Sequence, residues 1–110
     1  MNFSIYTTPV FVRDLKRLSK KYPSIKNDYY ALISSLKTNP EQGQALGNDC
    51  YKIRMAISSK NKGKSGGSRV ITCVKILAES VFLLMIYDKS EKEDFKDNEL
   101  DEVLKRAGLL

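Results

Sequence analysis

Hydrophobic positions in the N-terminal third of the chain predict one short strand followed by two helices. The strand is expected at Phe3 to Tyr6. Apolar side chains then recur every three or four residues in two stretches, which is the spacing of amphipathic helices. Thr8 is placed to cap the first helix, and Pro23 ends it because proline has no backbone N–H to donate. The second helix is predicted from about Ser24 to Lys37, and so short a turn favours a helical hairpin.

The remaining residues predict a small sheet and a last helix. A loop is expected to run to Asn48. Three strands follow it, at about Asp49–Ser58, Ser68–Ile76 and Ser80–Asp88. The third is apolar on both faces, so it is predicted to be central and covered by helices on one side. With a final helix capped by Asp97 or Asn98, the expected fold class is α+β: an N-terminal helical hairpin packed on a small, mainly antiparallel β-sheet, with a C-terminal helix.

Length and charge narrow the class of protein. A chain of 110 residues is predicted to form a single domain over residues 1–110. Its net charge of +6 and pI near 9.3 favour a polyanionic partner. The charge is also uneven, since residues 1–87 carry 14 Lys and Arg against 5 Asp and Glu, whereas residues 88–110 carry 5 against 8. Most of the chain is therefore more basic than its average suggests.

The rarer side chains limit the available chemistry. The chain has two cysteines and no histidine, so a zinc site of the usual kind is not expected and no metal or other cofactor is predicted. Cys50 and Cys73 are interpreted as buried thiols, and a bridge would require neighbouring strands in the right register, which the sequence leaves open. The N-terminus resembles no signal peptide, and the longest apolar run, Val81 to Tyr87, is too short to span a bilayer. A cytoplasmic protein without membrane contact is expected.

A basic, glycine-rich stretch around two of the predicted strands is the main functional candidate. From Tyr51 to Ser58 apolar residues alternate with polar ones, so Lys52 and Arg54 should share one face of a strand. Arg69 begins the next strand. Further candidates for binding RNA or phosphate, in the loop between the strands, are Lys60, Lys62, Lys64, Gly66 and Gly67. Six cations would thus meet on one side and rim of the sheet, as binding a phosphate backbone requires.

Each of these features also has an ordinary structural explanation. The loop could be a solvated hairpin tip, and one face of an antiparallel sheet normally carries Lys and Arg toward water. The eight carboxylates between Asp88 and Glu102 are interpreted as capping and solubilising groups rather than metal ligands. Tyr87 is either a core residue or a proton donor or stacking platform for RNA. Without histidine, proton transfer near neutral pH would fall to Lys, Tyr or carboxylate groups.

Four segments of the chain resemble the RelE/ParE superfamily of type II toxins, and its RelE/HigB-like branch most of all. They are FVRDLKRLSKKYPS at 11–24, LKTNPEQGQALGNDCYKIRM at 36–55, GKSGGSRVI at 63–71 and LLMIYDKSE at 83–91. The resemblance implies a RelE-like microbial RNase fold. It also implies a toxin that inhibits translation by cleaving mRNA on the ribosome without a metal. In that reaction the ribose 2′-OH attacks the adjacent phosphate and the 5′-oxygen leaves.

Carried over residue by residue, the resemblance implies catalytic roles for four cations. Lys52 and Arg54 match paired strand cations, and Arg69 matches the arginine that stabilises the transition state. After the last strand the family has an arginine, which only Lys89 could replace here. Some members also use a tyrosine near the terminal helix, and this chain has no match for it. The general base therefore stays unassigned. The implied partners are a cognate antitoxin, the ribosome with its RNA, and mRNA. Two alternatives stay open: a ParE-like toxin that inhibits DNA gyrase, and a non-catalytic RNA-binding module.

Overall fold

The helices and strands expected from the sequence are present, together with one further strand. The structure, a computed structural model, describes residues 2–61 and 63–110. Within those residues the elements are β1 (Ser4–Thr7), α1 (Pro9–Lys21), α2 (Ile25–Thr38), β2 (Gln44–Gly47), β3 (Cys50–Met55), a short 3-10 turn (Ser58–Lys60), β4 (Ser68–Lys75), β5 (Ser80–Asp88) and α3 (Asp97–Arg106). The α+β fold class is confirmed. The prediction of a plain loop up to Asn48 is wrong, because β2 lies within it.

The five strands form one sheet in the order β1-β5-β4-β3-β2. β1 runs parallel to β5, and the other neighbouring pairs are antiparallel. β5 lies between β1 and β4, which confirms its expected inner position. β2 escaped the sequence pattern because it has four residues and only Leu46 among them is even half-buried, so no alternation of apolar and polar side chains marks it.

Helices cover both faces of the sheet. On one face the helical hairpin packs through fully buried side chains, which are Phe11, Leu18, Ile25 and Leu36. On the other face Leu100 and Leu104 of α3 pack on side chains of β4 and β5. The sequence had placed helices over one face only, so α3 adds the second layer. None of the helices in the described residues is both long and apolar enough to cross a membrane.

One extra residue in β5 sets which side chains face which core. Leu83 and Met85 are opposite consecutive residues of β4, so Leu84 between them is left unpaired as a β-bulge. The alternation of faces restarts after the bulge. As a result Ile86 lies in the core under the helical hairpin, whereas Tyr87 lies in the core under α3.

Thr8 ties the start of α1 to this bulge. Its hydroxyl donates to the carbonyl of Leu84 (3.0 Å) and accepts from the N–H of Phe11 (3.1 Å), as the expected N-cap. Its own N–H donates to the carbonyl of Leu83 (3.2 Å). The first helix is therefore fixed to β5 at the bulge, where the alternation of its side chains between the two faces restarts.

Cys50 and Cys73, whose separation the sequence left open, lie directly opposite each other on β3 and β4. The N–H of Val74 donates to the carbonyl of Asp49 (2.8 Å). The adjacent cysteine pair is therefore a non-hydrogen-bonded one, in which side chains approach most closely. Both thiols are free and buried. Both thiols donate to the carbonyl of Asn48, at 3.4 Å from Cys50 and 3.9 Å from Cys73. The neighbouring thiol of Cys73, together with burial, raises the pKa of Cys50.

Replacing Thr8 with alanine should lower the free energy of unfolding by about 1–2 kcal/mol, because it removes a helix cap and a buried hydrogen bond to β5. Urea unfolding followed by circular dichroism measures this. Thr7→Ala is the matched control, since Thr7 is exposed, and it should change stability by less than about 0.5 kcal/mol. Equal losses in the two variants would contradict the anchoring role of Thr8.

Candidate functional site

Three of the candidate residues form a row across the sheet. Arg54 on β3 is paired with Arg69 on β4, and Arg69 is paired in turn with Tyr87 on β5. Lys52 precedes Arg54 by two residues and therefore lies on the same face, the one on which α3 packs. The register thus brings three cations that are distant in sequence onto one surface.

These side chains line a groove with a volume of about 850 Å³. β2 pairs only with the segment from Cys50 to Lys52, so the edge of β3 is uncovered by β2 from Ile53 onward, and the groove follows that edge. Its charged residues are Lys52, Arg54, Lys64, Arg69 and Lys89, with Asp28, Glu93 and Asp94. Positive charge is in excess, and four of the five cations come from β3, β4 and the loop between them.

Arg69 is held firmly by the loop that precedes β4. The residue is only 6% exposed. Its two terminal nitrogens donate to the backbone carbonyls of Lys64 (3.1 Å), Ser65 (3.2 Å) and Ser68 (3.2 Å). These bonds use three of the five N–H groups of the guanidinium. A side chain fixed in this way is already ordered before a phosphate arrives, with the remaining N–H groups as donors.

Gly67 is needed for packing at this point. A Cβ at Gly67 would lie 2.5 Å from the carbonyl oxygen of Met55 on β3, so a larger residue would push the loop off the strand. Its carbonyl accepts from the N–H of Lys89 (3.0 Å), which joins the loop to the end of β5. Gly66 is half-buried in the preceding turn, and Lys64 is exposed. Lys62, another predicted phosphate-binding residue, lies outside the described residues.

Asp94 connects two of the sequence candidates. Its Oδ1 atom accepts from Lys52 Nζ (3.4 Å) and from the Tyr87 hydroxyl (3.3 Å). The pKa of Asp94 is held below its ordinary value, first by a hydrogen bond from the Phe95 N–H and also by Lys52. Burial, together with the Asp94 carboxylate, raises the pKa of Tyr87 to about 12, so the phenol is protonated at neutral pH. Sequence reasoning missed Asp94, since nothing in the spacing links a carboxylate of a charged linker to a strand cation.

Lys89 also lies in the groove, where its Nζ donates to the carbonyl of Glu93 (3.0 Å). This bond closes a turn in the segment that follows β5. Among the residues that the structure describes, no three His, Cys, Asp or Glu side chains are grouped so as to hold a metal ion. The positive charges that an anionic ligand would meet in the described part of the groove are those of lysine and arginine, and three carboxylates lie in the same groove.

Lys60 is not among the groove residues, because it forms a buried ion pair. Its Nζ lies 2.9 Å from Asp88 Oδ1, and the two side chains are 9% and 0% exposed. The other oxygen of Asp88 accepts from the Tyr22 hydroxyl (2.5 Å), and Ser90 donates to Oδ1 through its N–H and its hydroxyl. Burial alone would raise the pKa of Asp88, but these hydrogen bonds outweigh it and hold the pKa well below its ordinary value. Lys60 therefore fastens the start of the basic loop to the end of β5.

Comparison with known proteins bears on the resemblance seen in the sequence. A family model described as the RelE toxin of the RelE/RelB toxin–antitoxin system matches residues 10–110. This chain belongs to the RelE toxin family. A solved structure of a double mutant of the E. coli toxin RelE in the free state is similar, with a TM-score of 0.65 at 18% identity, over 96% of this chain and 98% of that one. The isolated E. coli RelE toxin gives a TM-score of 0.60 at 15% identity, with the same coverage of both chains.

The expected membership of the RelE superfamily is thereby confirmed, and at these identities the two structures show that the fold is shared. The family also implies a cognate antitoxin as partner. The narrower HigB-like placement and the roles of individual RelE site residues stay predictions.

Lys60→Met should destabilise the protein by about 3–5 kcal/mol at neutral pH, because it leaves the Asp88 carboxylate buried without its cation. Since the folded-state pKa of Asp88 is depressed, its contribution to stability is present above the ordinary value near 4 and is lost as the pH falls below it. The unfolding free energy of the parent protein should therefore decline below about pH 4, and less steeply in Lys60→Met. Urea unfolding at a series of pH values measures both effects.

The matched control is Lys26→Met, which removes an exposed lysine of α2. It should change stability by less than about 0.5 kcal/mol and keep the acid dependence of the parent. A Lys60→Met protein with the same pH slope as the parent would show that Lys60 does not depress the pKa of Asp88.

Proposed function

We propose that this chain is the toxin of a type II toxin–antitoxin system and acts as a metal-independent, ribosome-dependent mRNA endonuclease that inhibits translation. The RelE toxin family supplies the general class. What supports the nuclease proposal is the convergence of Lys52, Arg54 and Arg69 on one face and in one groove. A sugar–phosphate backbone is the ligand that such a row of cations fits best.

The proposed chemistry is the reaction that the resemblance to the RelE/ParE superfamily implies. The 2′-OH of one nucleotide attacks its own 3′-phosphate, and negative charge builds up on the phosphate oxygens in the transition state. Arg69, already fixed by backbone carbonyls, and Arg54, whose side chain is exposed, would stabilise that charge. Lys52, Lys64 and Lys89 would hold the flanking backbone as point charges.

The dependence on the ribosome is proposed on charge and size. With a net charge of +6 the small domain is attracted to ribosomal RNA in general. The ribosome would present mRNA as an unpaired, extended strand in a fixed position, which the open groove accepts without unwinding. Under this proposal the protein acts in the cytoplasm, and the cognate antitoxin blocks access to the groove.

Arg54→Gln is the sharpest test, because Arg54 is exposed on β3 and its side chain makes no hydrogen bond to the described residues of the loop, whereas a change at Arg69 would also release three backbone carbonyls. Removing a guanidinium that stabilises the transition state should slow cleavage about 100- to 1,000-fold. Primer extension on mRNA from cells after induced expression, and on purified translating ribosomes, measures this.

Arg106→Gln removes an exposed arginine at the end of α3 and serves as control, with cleavage expected to match the parent. Undiminished cleavage by a folded Arg54→Gln protein would contradict the role of this cation. An unmodified chain that stops growth without cutting mRNA, and instead inhibits gyrase supercoiling, would overturn the nuclease proposal itself.

A further inference from the structure

The carboxylate of Asp94 is held on one side only. Oδ1 accepts three hydrogen bonds, from Lys52 Nζ (3.4 Å), from the Tyr87 hydroxyl (3.3 Å) and from the N–H of Phe95 (2.8 Å). In residues 2–61 and 63–110, no donor lies within hydrogen-bond distance of Oδ2, and the side chain is 58% exposed. One oxygen is thus an anchor, while the other accepts no hydrogen bond from the described residues and belongs to a side chain that lines the groove.

The two other carboxylates of the groove differ in this respect. Asp28 is engaged through both oxygens, by the hydroxyl and N–H of Ser58 and by the hydroxyl of Ser24. Glu93 meets Lys89 through its backbone carbonyl rather than through its side chain. Asp94 is the carboxylate that contacts both the strand cation Lys52 and the phenol of Tyr87.

The protonation states assign different chemistry to these neighbours. The Tyr87 phenol keeps its proton at neutral pH, because its pKa is raised to about 12. The carboxylate of Asp94 is ionised there as well, and the Phe95 N–H and Lys52 hold its pKa below the ordinary value, which makes it a weaker proton acceptor than a free aspartate. With no histidine anywhere in the chain, the position of this ionised carboxylate beside the cations of the groove is what favours it as the proton acceptor.

We propose that Asp94 is the general base of the cleavage reaction, an inference that rests on the proposed endonuclease function. Oδ2 accepts the proton of the 2′-OH, the bond from the 2′-oxygen to phosphorus forms, and the bond from phosphorus to the 5′-oxygen breaks. The products are a 2′,3′-cyclic phosphate and a 5′-hydroxyl. The departing 5′-oxygen takes its proton from a lysine ammonium of the groove or from water, and the carboxylic acid then returns its proton to solvent.

The contact between Asp94 and Lys52 also fits a different role for Asp94, which predicts the opposite result. A carboxylate seated on Lys52 could instead imitate a phosphate and shield the site until RNA displaces it. Removing that charge would then strengthen RNA binding and leave or increase the cleavage rate. Removing a general base lowers the rate, typically by about 100- to 10,000-fold, while binding is unchanged or tighter.

The test is single-turnover cleavage of mRNA on purified ribosomes by the unmodified chain, Asp94→Asn and the control Asp101→Asn, which makes the same change at an exposed residue of α3 outside the groove. Asp94→Asn keeps the shape and an oxygen for the Phe95 N–H but cannot take a proton. We expect a loss of about 100-fold or more in Asp94→Asn and a parental rate in Asp101→Asn. The charged groups around Asp94 are Lys52, Arg54, Lys64, Arg69, Lys89 and Glu93, and the neutral phenol of Tyr87 lies beside them. All of these groups are retained in Asp94→Asn.

Two further readouts separate a base from a structural role. From about pH 6 to 8 the rate of Asp94→Asn should rise about tenfold per pH unit, because hydroxide must replace the base, whereas the parent rate depends less on pH. An mRNA with sulfur in place of the 5′-bridging oxygen needs no acid for its leaving group. This substrate should therefore leave the defect of Asp94→Asn in place.

Each outcome decides the matter. A folded Asp94→Asn protein that cleaves at the parental rate or faster overturns the base assignment and leaves the endonuclease function standing. If Asp94→Asn cleaved the sulfur substrate at the parental rate, Asp94 would instead assist protonation of the leaving group. That result would also overturn the base assignment. If the unmodified chain does not cleave mRNA on ribosomes, the proposed function fails and this inference falls with it.

Discussion

The β-bulge at Leu84 is the constraint on which both the core and the groove depend. Side chains of a strand alternate between its two faces, so one extra residue exchanges the faces of everything beyond it. With Leu84 unpaired, Tyr87 is directed to the face that carries Arg69, and Asp88 is directed to the face under the helical hairpin. Without it, an aromatic ring would lie where the buried ion pair is and a carboxylate would lie beside Arg69. The hydroxyl of Thr8 donates a hydrogen bond to the carbonyl of Leu84. The start of α1 therefore stabilises the bulge and with it the orientation of the side chains that follow.

The buried carboxylate of Asp88 connects β5 beyond the bulge to the basic loop through its ion pair with Lys60. Taking a charged pair out of water costs several kcal/mol, so a buried Lys–Asp pair is weak evidence for a stability gain by itself. What the pair does here is geometric. At the start of the loop Lys60 is paired with Asp88, and at its end Gly67 packs closely against β3. Backbone carbonyls between these two points accept hydrogen bonds from Arg69. The lysine that sequence reasoning assigned to phosphate binding instead helps to shape the loop that positions the arginine.

Local signals predicted where the helices lie, although α3 is capped by Lys96 rather than by Asp97 or Asn98. Contacts between residues distant in sequence could not be predicted in this way. The start of α1 follows from Thr8 and Pro9, which act on their own turn. The alternation in β3 gave the common face of Lys52 and Arg54 for the same reason. By contrast, both faces of the strand at residues 81–87 are buried, so its residues are apolar without alternation. The sequence pattern therefore cannot show where a bulge exchanges the two faces. The roles of Asp88 and Asp94 depend on contacts with side chains up to 66 positions away, and single carboxylates carry no mark of such partners.

The groove is organised before any ligand arrives, and this has a cost in affinity. Arg69 is engaged by carbonyls, Lys52 by Asp94, and Lys89 by the carbonyl of Glu93. Under the proposed function, an RNA phosphate would have to exchange with these partners instead of meeting bare cations, and each exchange would return less free energy than a new ion pair. The gain is that little side-chain ordering is left for the transition state, where fixed donors are most effective. A site of this kind acts better on RNA that the ribosome has already positioned than on free RNA in solution. This is the physical reason to expect cleavage on the ribosome and little without it.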